Sequence, residues 1–446
     1  MNGEEKIVEE KIVEEKIGYK QIIKQTEYMK TVIAAVINRF GDSIDSIAMT
    51  WLVYQLTQSA SWSAIIFGVN RIPTIFLQPF AGAAIEGKNK KQIMIVTDII
   101  RGLCVGFIAT ALMLGFLNQW LLLLTTIIIS CAEAFRGPAS SSLIPKLLEK
   151  KYYAFGLSLN SSACSTMELI GLGAAGVLLS MFPVSVAIYI DMVTFFLSAL
   201  IIFTLRIKET NLVKGRINAK EYVQNLKGGF SYLKNDALLR YFVLLAIFLN
   251  AVLVPFNSLQ ATLISEVLKL DEAMLSVLGV AITVGMILGA ALYPYLSSKL
   301  SKQAIASLGG YSIGIYYLMF VFVGRYVTSE FAIYTIVSVV SLITGIAFSQ
   351  LMSFCNVEFI KNIKGEYLAR VTSIFGACCV AAIPVVSFVI GALAKVTSTA
   401  VLFLITGILD VIICIGLCSR KRFAAMDTKE EGVIADGEEA SDSTAC

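Results

Sequence analysis

Long apolar runs alternate with short charged connections along most of the chain. Each run is about as long as the roughly 20 residues that a helix needs to cross a bilayer. There are twelve such runs, at 30–56, 63–85, 92–116, 119–142, 154–180, 183–205, 240–263, 273–297, 302–324, 329–353, 367–394 and 397–419. Nearly all the connections are too short to hold a domain. The pattern therefore predicts an all-α integral membrane protein with twelve transmembrane helices.

One connection is longer than the others and divides the runs into two sets of six. It covers 206–239, where Tyr222, Leu226, Phe230 and Leu233 recur at helical spacing among lysines. This spacing predicts an amphipathic helix at the membrane surface. The predicted organisation is a cytoplasmic tail, a first six-helix half, a linker, a second six-helix half and a second tail, at 1–28, 29–205, 206–239, 240–419 and 420–446.

Composition and charge placement support this interpretation. The 446 residues are 57% hydrophobic and 15% charged, whereas soluble chains are about 25% charged. The net charge of +4 gives no reason to expect nucleic acid. Counting each charge at a run's edge with the adjacent connection, 29 of the 36 Lys and Arg lie in the tails and the even-numbered connections, and three in the odd-numbered ones. By the positive-inside rule, both termini are expected in the cytoplasm.

The chain has no histidine, which removes several kinds of chemistry. His-ligated zinc, Ser-His-Asp and Cys-His catalytic pairs and histidine proton relays are all excluded. The nine cysteines form no CxxC motif and lie mostly inside apolar runs, where they act as small buried hydrophobes. We therefore expect neither enzymatic activity nor a metal or other cofactor.

Ionisable residues inside the runs are the main candidates for function, because a charge at mid-bilayer is costly unless it faces a cavity or a partner. Four deep carboxylates are candidate proton carriers, namely Asp42, Asp45, Glu168 and Asp191. Arg39 and Arg71 are their candidate charge partners, Arg71 at a depth that allows contact with Asp42 or Asp45. Carboxylates outnumber these arginines, so at least one is expected to lack a full partner.

Three pairs of opposite charge are spaced i, i+3 and share one helix face. They are Arg39/Asp42, Asp98/Arg101 and Glu133/Arg136. These pairs either neutralise each other and hold the bundle together, or, near the cytoplasmic ends, form a gate that breaks and re-forms. The spacing favours neither alternative decisively.

The connection GAAIEGKNKK between the second and third runs resembles the signature loop of the major facilitator superfamily of transporters. Gly82, Lys90 and Lys91 match that motif, while Glu86 stands in place of its aspartate. The resemblance implies two parallel six-helix halves and a role for this loop, with Asp98, Arg101, Glu133 and Arg136, in closing the cytoplasmic side. The segment GAAIEGKN also resembles a phosphate-binding loop. However, Asn89 stands where that motif has Ser or Thr, and the segments on both sides are predicted membrane helices.

The fifth run contains IGLGAAG, which resembles the exporter signature of that superfamily through Gly171 and Gly176. The likeness is nearest to the macrolide-efflux-like branch of bacterial drug exporters, and it favours export over import. The second half offers polar residues but few charges, which suits a lipophilic or amphipathic substrate in a central cavity. The candidates for lining that cavity are Asn250, Asn257, Gln260 and Gln350.

These observations lead to one expected function and several alternatives. We expect a monomeric, proton-coupled exporter of small molecules that works by alternating access in a bacterial plasma membrane, with the lipid bilayer, its substrate and protons as partners. An importer or a lysophospholipid flippase of the same fold remains possible. So does a membrane scaffold or sensor that works through its charged tails.

Overall fold

The apolar runs form long helices in a computed structural model, which describes residues 19–85, 88–207, 230–363 and 368–417. The twelve long helices are α1 (Thr26–Thr57), α2 (Ala60–Ile85), α3 (Lys90–Met113), α4 (Gln119–Leu147), α5 (Tyr153–Met181), α6 (Val184–Phe203), α7 (Ala237–Thr262), α8 (Ala273–Lys299), α9 (Lys302–Tyr326), α10 (Glu330–Lys361), α11 (Leu368–Leu393) and α12 (Thr399–Leu417). A short helix, Tyr19–Ile23, precedes α1, and a single 3₁₀ turn, Lys150–Tyr152, precedes α5. The predicted all-α fold with twelve long helices is confirmed.

Eleven of these helices are long and apolar enough to cross a membrane, and α1 is the exception among the described residues. Arg39, Asp42 and Asp45 lie in the middle of α1 and lower its hydropathy. The helix is nevertheless 32 residues long, and it packs against α5 and α6. Because exposing charge to lipid is costly, its polar face is expected to lie against the protein or water.

The two sets of six helices pack in the same way. In the first half α1 packs against α5, α2 against α4, and α3 against α4 and α6. In the second half α7 packs against α11, α8 against α10, and α9 against α10 and α12. Each pair is the counterpart of the pair six helices earlier. The structure therefore has the two parallel six-helix halves that the sequence predicts.

The loops that begin equivalent helices use equivalent caps. The side chain of Asn89 accepts a hydrogen bond from the Gln92 backbone N–H and so starts α3. In the second half Ser301 accepts from the Ala304 N–H at the start of α9. Short polar side chains at this position satisfy N–H groups that a helix leaves unpaired.

The linker and the tails are described only in part. Residues 1–18, 208–229 and 418–446 lie outside the described part, and with them most of the predicted amphipathic helix and of both predicted tails. Residues 230–235 are helical, with Phe230 exposed and Leu233 buried. The predicted domain boundaries stay predictions.

Contacts between the two halves lie at one end of the bundle in the part of the chain that the structure describes. We call the end where α1 begins and α12 ends the proximal end, and the opposite end the distal end. At the distal end Gly176 of α5 lies against Ser276 of α8, and Gly68 of α2 lies against Ser387 of α11. Towards the proximal end α5 and α8 separate, and most residues of 290–299 in α8 are exposed. The bundle is thus closed distally and open proximally.

Candidate functional site

Polar side chains of the first half face the opening between the halves. On α1 these are Arg39, Asp42 and Ser46, one turn apart, and on α4 Glu133 is exposed. The side chain of Asp42 retains 36% of its accessible surface although it lies midway along the helix. Charged groups at this depth do not face lipid, because the cost would be too high. They line a water-accessible opening.

Behind this surface lies a buried ion pair between α3 and α4. Asp98 has no accessible surface, and both of its carboxylate oxygens accept from the guanidinium of Arg136. Ser198 of α6 donates to Asp98 Oδ2 at 2.7 Å. Three helices therefore meet on one carboxylate, which is the arrangement that a buried charge needs.

A polar residue of α1 completes this group. With its amide oriented so that each atom meets a complementary partner, Asn38 Oδ1 accepts from Arg136 Nη2 at 2.6 Å. Its Nδ2 donates to the carbonyl oxygen of Thr194 on α6 at 3.3 Å. Asn38 is almost fully buried, so these contacts fix the relative positions of α1, α4 and α6.

A second ion pair joins α3 to α1 and reaches the opening. Arg101 Nη2 donates to Asp42 Oδ1 at 3.0 Å, and the guanidinium lies 4.1 Å from the centre of the Phe195 ring. Arg101 is also within electrostatic range of Glu133, Asp191 and Asp98. Within the described residues its Nε has no hydrogen-bond acceptor. Arg101 is thus surrounded by several acids and forms an ion pair with one of them, Asp42.

Two further carboxylates lie beside this pair without a cation of their own. Asp191 on α6 is buried and accepts from the Thr194 hydroxyl at 3.2 Å. Asp45 Oδ1 on α1 is buried and has no hydrogen-bond partner in the described part of the chain. The two carboxylates repel each other electrostatically. Arg101 is already paired with Asp42, and Arg136 with Asp98. Among the described residues, Asp45 and Asp191 are therefore acids in excess of the available cations.

A glycine brings α6 and α1 close enough for this arrangement. A Cβ atom on Gly41 would collide with the Thr194 hydroxyl and with Asp191 Oδ1. Without that atom, the polar face of α6 lies directly on the backbone of α1, one residue before Asp42. Close helix packing at small residues is common inside membranes.

The ion pairs differ from those expected from sequence spacing. Asp98 pairs with Arg136 on another helix, and Arg101 pairs with Asp42. The expected Asp98/Arg101 pairing is therefore wrong, because the two side chains extend towards different neighbouring helices. In the described residues Glu133 forms no ion pair with Arg136, and Arg39 forms none with Asp42.

Arg71 also differs from the expectation that it meets Asp42 or Asp45. It is exposed, and its guanidinium lies 5.9 Å from the ring of Phe67 on the same helix. Arg101, one helix further along the chain, takes the place beside Asp42 because α3 turns that face towards α1. Glu168 is half-buried on α5, and no ion pair involves it in the residues that the structure describes.

The signature-loop residues connect elements of the first half. Lys91 Nζ donates to the carbonyl oxygen of Leu205 at 2.8 Å, which ties the start of α3 to the end of α6. Lys90 begins α3, Gly82 lies in the last turn of α2, and Glu86 falls outside the described residues. The predicted role of this loop in closing the cytoplasmic side stays a prediction.

The two predicted glycines of α5 make different contacts. Gly171 lies against the Phe40 carbonyl and Ser43 of α1 within the first half. Gly176 meets Ser276 of the second half. One glycine therefore packs the half together, and the other allows the halves to touch.

The predicted cavity residues fall into two groups. Asn257 is exposed and Gln260 half-buried on α7. Asn250 donates to the Ala246 carbonyl of its own helix at 2.9 Å. Gln350 is buried and donates to the Gly289 carbonyl on α8. The prediction that Gln350 lines the cavity is wrong, because its side chain is buried and its amide forms a hydrogen bond that joins α10 to α8.

Sequence reasoning missed three uncharged residues that hydrogen-bond to the buried charged groups, namely Asn38, Thr194 and Ser198. They belong to what we call the charged network, whose charged members are Asp42, Asp45, Asp98, Arg101, Arg136 and Asp191. A signal was present for each of the three uncharged residues. Asn38 stands four residues before Asp42, on the same helix face. Thr194 and Ser198 follow Asp191 at i+3 and i+7, which is a polar stripe in an otherwise apolar helix. Such a stripe indicates a polar neighbour in the lipid-buried interior.

Comparison with known proteins identifies the family. A model of the transmembrane secretion effector family of major facilitator transporters matches residues 22–436. The chain is 24% identical to the uncharacterized MFS-type transporter YkuC of Bacillus subtilis over 66% of this chain and 70% of that protein. It is 20% identical to macrolide efflux protein A of Streptococcus pyogenes over 85% of this chain and 92% of that protein.

Solved structures show the same fold. The nucleoside transporter NupG superposes with a TM-score of 0.71 at 12% identity, covering 90% of this chain and 98% of that one. A bacterial homologue of the iron transporter ferroportin, in an inward-facing state, superposes with a TM-score of 0.67 at 14% identity, covering 89% and 99%. At these identities the likeness concerns architecture alone.

Proposed function

The chain belongs to the transmembrane secretion effector family of the major facilitator superfamily, and we propose that this transporter exports lipophilic or amphipathic small molecules in exchange for protons. The substrates would be drug-like or macrolide-like. The efflux activity named for macrolide efflux protein A supports this choice, as do the glycines of α5. The observation that carries the proposal is the excess of buried acids around Arg101.

The acids supply what proton coupling needs. A carboxylate that is locked to a cation cannot take up and release a proton at small electrostatic cost. Asp45 and Asp191 have no such cation among the described residues, whereas Asp98 has Arg136. We therefore assign proton carriage to Asp45 and Asp191, and a structural role to Asp98.

The exposed pair Arg101–Asp42 connects this site to the substrate pathway. Asp42 faces the opening and, of the described acids, is the one that Arg101 contacts directly. When a cationic substrate neutralises Asp42, Arg101 loses its partner and is attracted to Asp191 instead. Asp191 belongs to α6 and Asp42 to α1, so this exchange changes which helices are held together. Such a switch favours one state of the bundle over another.

The charge distribution supports placing the proximal end in the cytoplasm of a bacterial cell. Nearly all Lys and Arg of the tails and connections lie on that side, as the positive-inside rule expects. The open proximal end then receives substrate from the cytoplasm, which suits an exporter. Fusing a reporter that is active only in the periplasm or only in the cytoplasm to the C-terminus tests this placement.

Transport in liposomes tests the proposed exchange. Purified protein would be reconstituted, and the uptake of a fluorescent lipophilic dye or a macrolide followed under an imposed pH gradient. An exchanger accumulates substrate when the lumen is acidic, because protons leave as substrate enters, and a protonophore abolishes the accumulation. Accumulation only with acid outside would indicate symport and import. Absence of any gradient-dependent flux would contradict the proposal.

A further inference from the structure

The first helices of the two halves, α1 and α7, end in the same unusual way at the distal end. Gln58 follows α1 with φ 46°, and Lys269 ends the last turn after α7 with φ 57°. In the described chain these are the two residues other than glycine with positive φ. Side-chain-bearing residues rarely adopt this conformation, so the two equivalent helix ends are shaped alike.

The end of α7 differs from that of α1 in its last turn. After Thr262 the helix continues as a π-helical turn, Leu263–Leu268, and Leu259 just before it departs from helical geometry. Single π turns inside helices often mark functional sites. This wider turn carries Glu266.

Among the described residues, Glu266 accepts a hydrogen bond from each half. Thr399, at the start of α12 in its own half, donates to Oε2 at 2.7 Å. Tyr54, one turn before Gln58 on α1 of the other half, donates to Oε1 at 3.5 Å. The carboxylate thus bridges the two halves where α1 and α7 meet.

The surrounding distal contacts are made by small side chains. Gly176 against Ser276 and Gly68 against Ser387 allow close approach. When the two halves move apart, these contacts break without leaving a charged group unpaired. A bond from Tyr54 to a carboxylate is directional and depends on a single pair of groups.

We propose that Tyr54 and Glu266 form a latch that holds the distal side closed, and that its release accompanies opening to the outside. The proposal rests on the alternating access of the proposed function, but not on protons or on the direction of transport. Thr399 binds the other carboxylate oxygen, Oε2, from within its own half, and Oε1 faces Tyr54 without it. Losing the Tyr54 hydroxyl should favour the distally open state, while losing the Thr399 hydroxyl should affect that state little.

Distance measurements between the halves test this latch. Spin labels would replace Phe182 and Val396, which are exposed at the distal ends of opposite halves, in protein freed of its native cysteines. In nanodiscs without substrate, Tyr54→Phe should raise the ratio of long to short distances about two- to tenfold, as expected for one net hydrogen bond. Thr399→Val is the matched control. It removes the other hydrogen bond to Glu266, which is shorter and lies entirely within the second half.

Three outcomes would overturn the proposal. The first is an unchanged distance distribution in Tyr54→Phe. The second is an equal shift in Thr399→Val, which would indicate general loosening of the α7 end. The third is a shift in Tyr54→Phe accompanied by a large fall in melting temperature, since the contact with the Trp51 ring should be kept. None of these depends on flux, so failure of proton exchange remains distinguishable from failure of the latch.

Discussion

The two halves of the bundle share one packing arrangement but fill it with different chemistry. In the first half, ion pairs from Asp98 and Arg101 join α3 to α4 and to α1. In the second half an ion pair, Lys302–Glu358, joins α9 to α10, and the region between α7, α9 and α12 is a cluster of aromatic rings. Its members are Phe256, Tyr316, Tyr317, Phe320 and Phe403. Most ring pairs in this cluster are tilted or edge-to-face, and Phe256 and Phe320 are stacked, which are the arrangements that aromatic side chains favour.

This difference shows that the fold does not require the charges. Hydrophobic side chains of similar volume often replace a buried ion pair without loss of stability, and the region between α7, α9 and α12 of the second half is built in that way. The charged network of the first half therefore needs another explanation, and proton-coupled transport supplies one. In the proposed exchange, the second half is the largely apolar partner against which the first half moves.

Asp410 gives the sharpest test of this contrast. It is a buried acid of α12 with Oδ2 unpartnered within the described residues, and the thiol of Cys414 is 3.7 Å from Oδ1. We expect Asp45→Asn and Asp191→Asn each to reduce gradient-driven flux to that of protein-free liposomes, because an amide carries no proton. Asp410→Asn should retain the flux. Substrate uptake into acid-lumen liposomes measures all three.

Two controls separate loss of coupling from loss of folding. Each variant should bind a fluorescent substrate with nearly unchanged affinity and elute as the wild type does from a sizing column. If Asp410→Asn abolished gradient-driven flux while Asp191→Asn kept it, the assignment of coupling to the first half would be wrong.

The next largest effect is expected from breaking the buried ion pair. Asp98→Ala leaves the Arg136 guanidinium with Asn38 and Ser198 as its remaining partners. Removing one member of a buried pair typically costs about 3–5 kcal/mol of stability. Adding Arg136→Met should restore most of the loss, because no buried charge is then left unpaired. Thermal melting of the single and double variants in detergent gives the comparison, and a double variant no more stable than Asp98→Ala would contradict it.

Much of this architecture could be predicted from the sequence. The twelve helices and their division into two sixes follow from hydropathy and from the one long connection, because lipid leaves few alternatives to a helix. Asp42, Asp45 and Asp191 could be singled out as candidates for the same reason, since charge in a span is costly. The structure brings these three together with Arg101.

The choice of partners could not be predicted. Spacing along one helix shows which side chains share a face, so it suggested Asp98 with Arg101. Which helix that face meets depends on helix rotation and crossing, and these are set by packing over the whole half. Gly41 illustrates the point, since its role is clear only once α6 lies on top of it.

A ring deletion tests the second half in the same way as Asp98→Ala tests the first. Phe320 is fully buried and contacts the rings of Phe256, Tyr316 and Phe403. Phe320→Ala should cost about 3–4 kcal/mol by leaving a cavity. The dependence of transport on the pH gradient should keep its shape, because no acid of the network is touched. A changed pH profile in liposomes would show that the second half takes part in coupling.

The smallest expected effect comes from a pair of matched glycines. Gly41→Ala pushes a methyl group against Thr194 and Asp191, and Gly407→Ala pushes one against the Gly314 carbonyl in the second half. Each should cost about 1–3 kcal/mol through overpacking. Gly416→Ala meets no atom within 4 Å and should be neutral. Melting temperatures of the three variants measure these costs.

The two destabilising variants should differ in transport. Gly41→Ala displaces Asp191 from its place beside Thr194, so the pH dependence of flux should shift. Gly407→Ala disturbs the α9–α12 contact, away from the charged network, and should leave the pH profile of the wild type. If both variants shifted the profile equally, strain anywhere in the bundle would alter coupling, and the separation of roles between the halves would fail. If neither variant shifted the pH profile, the position of Asp191 against α1 would not matter for coupling.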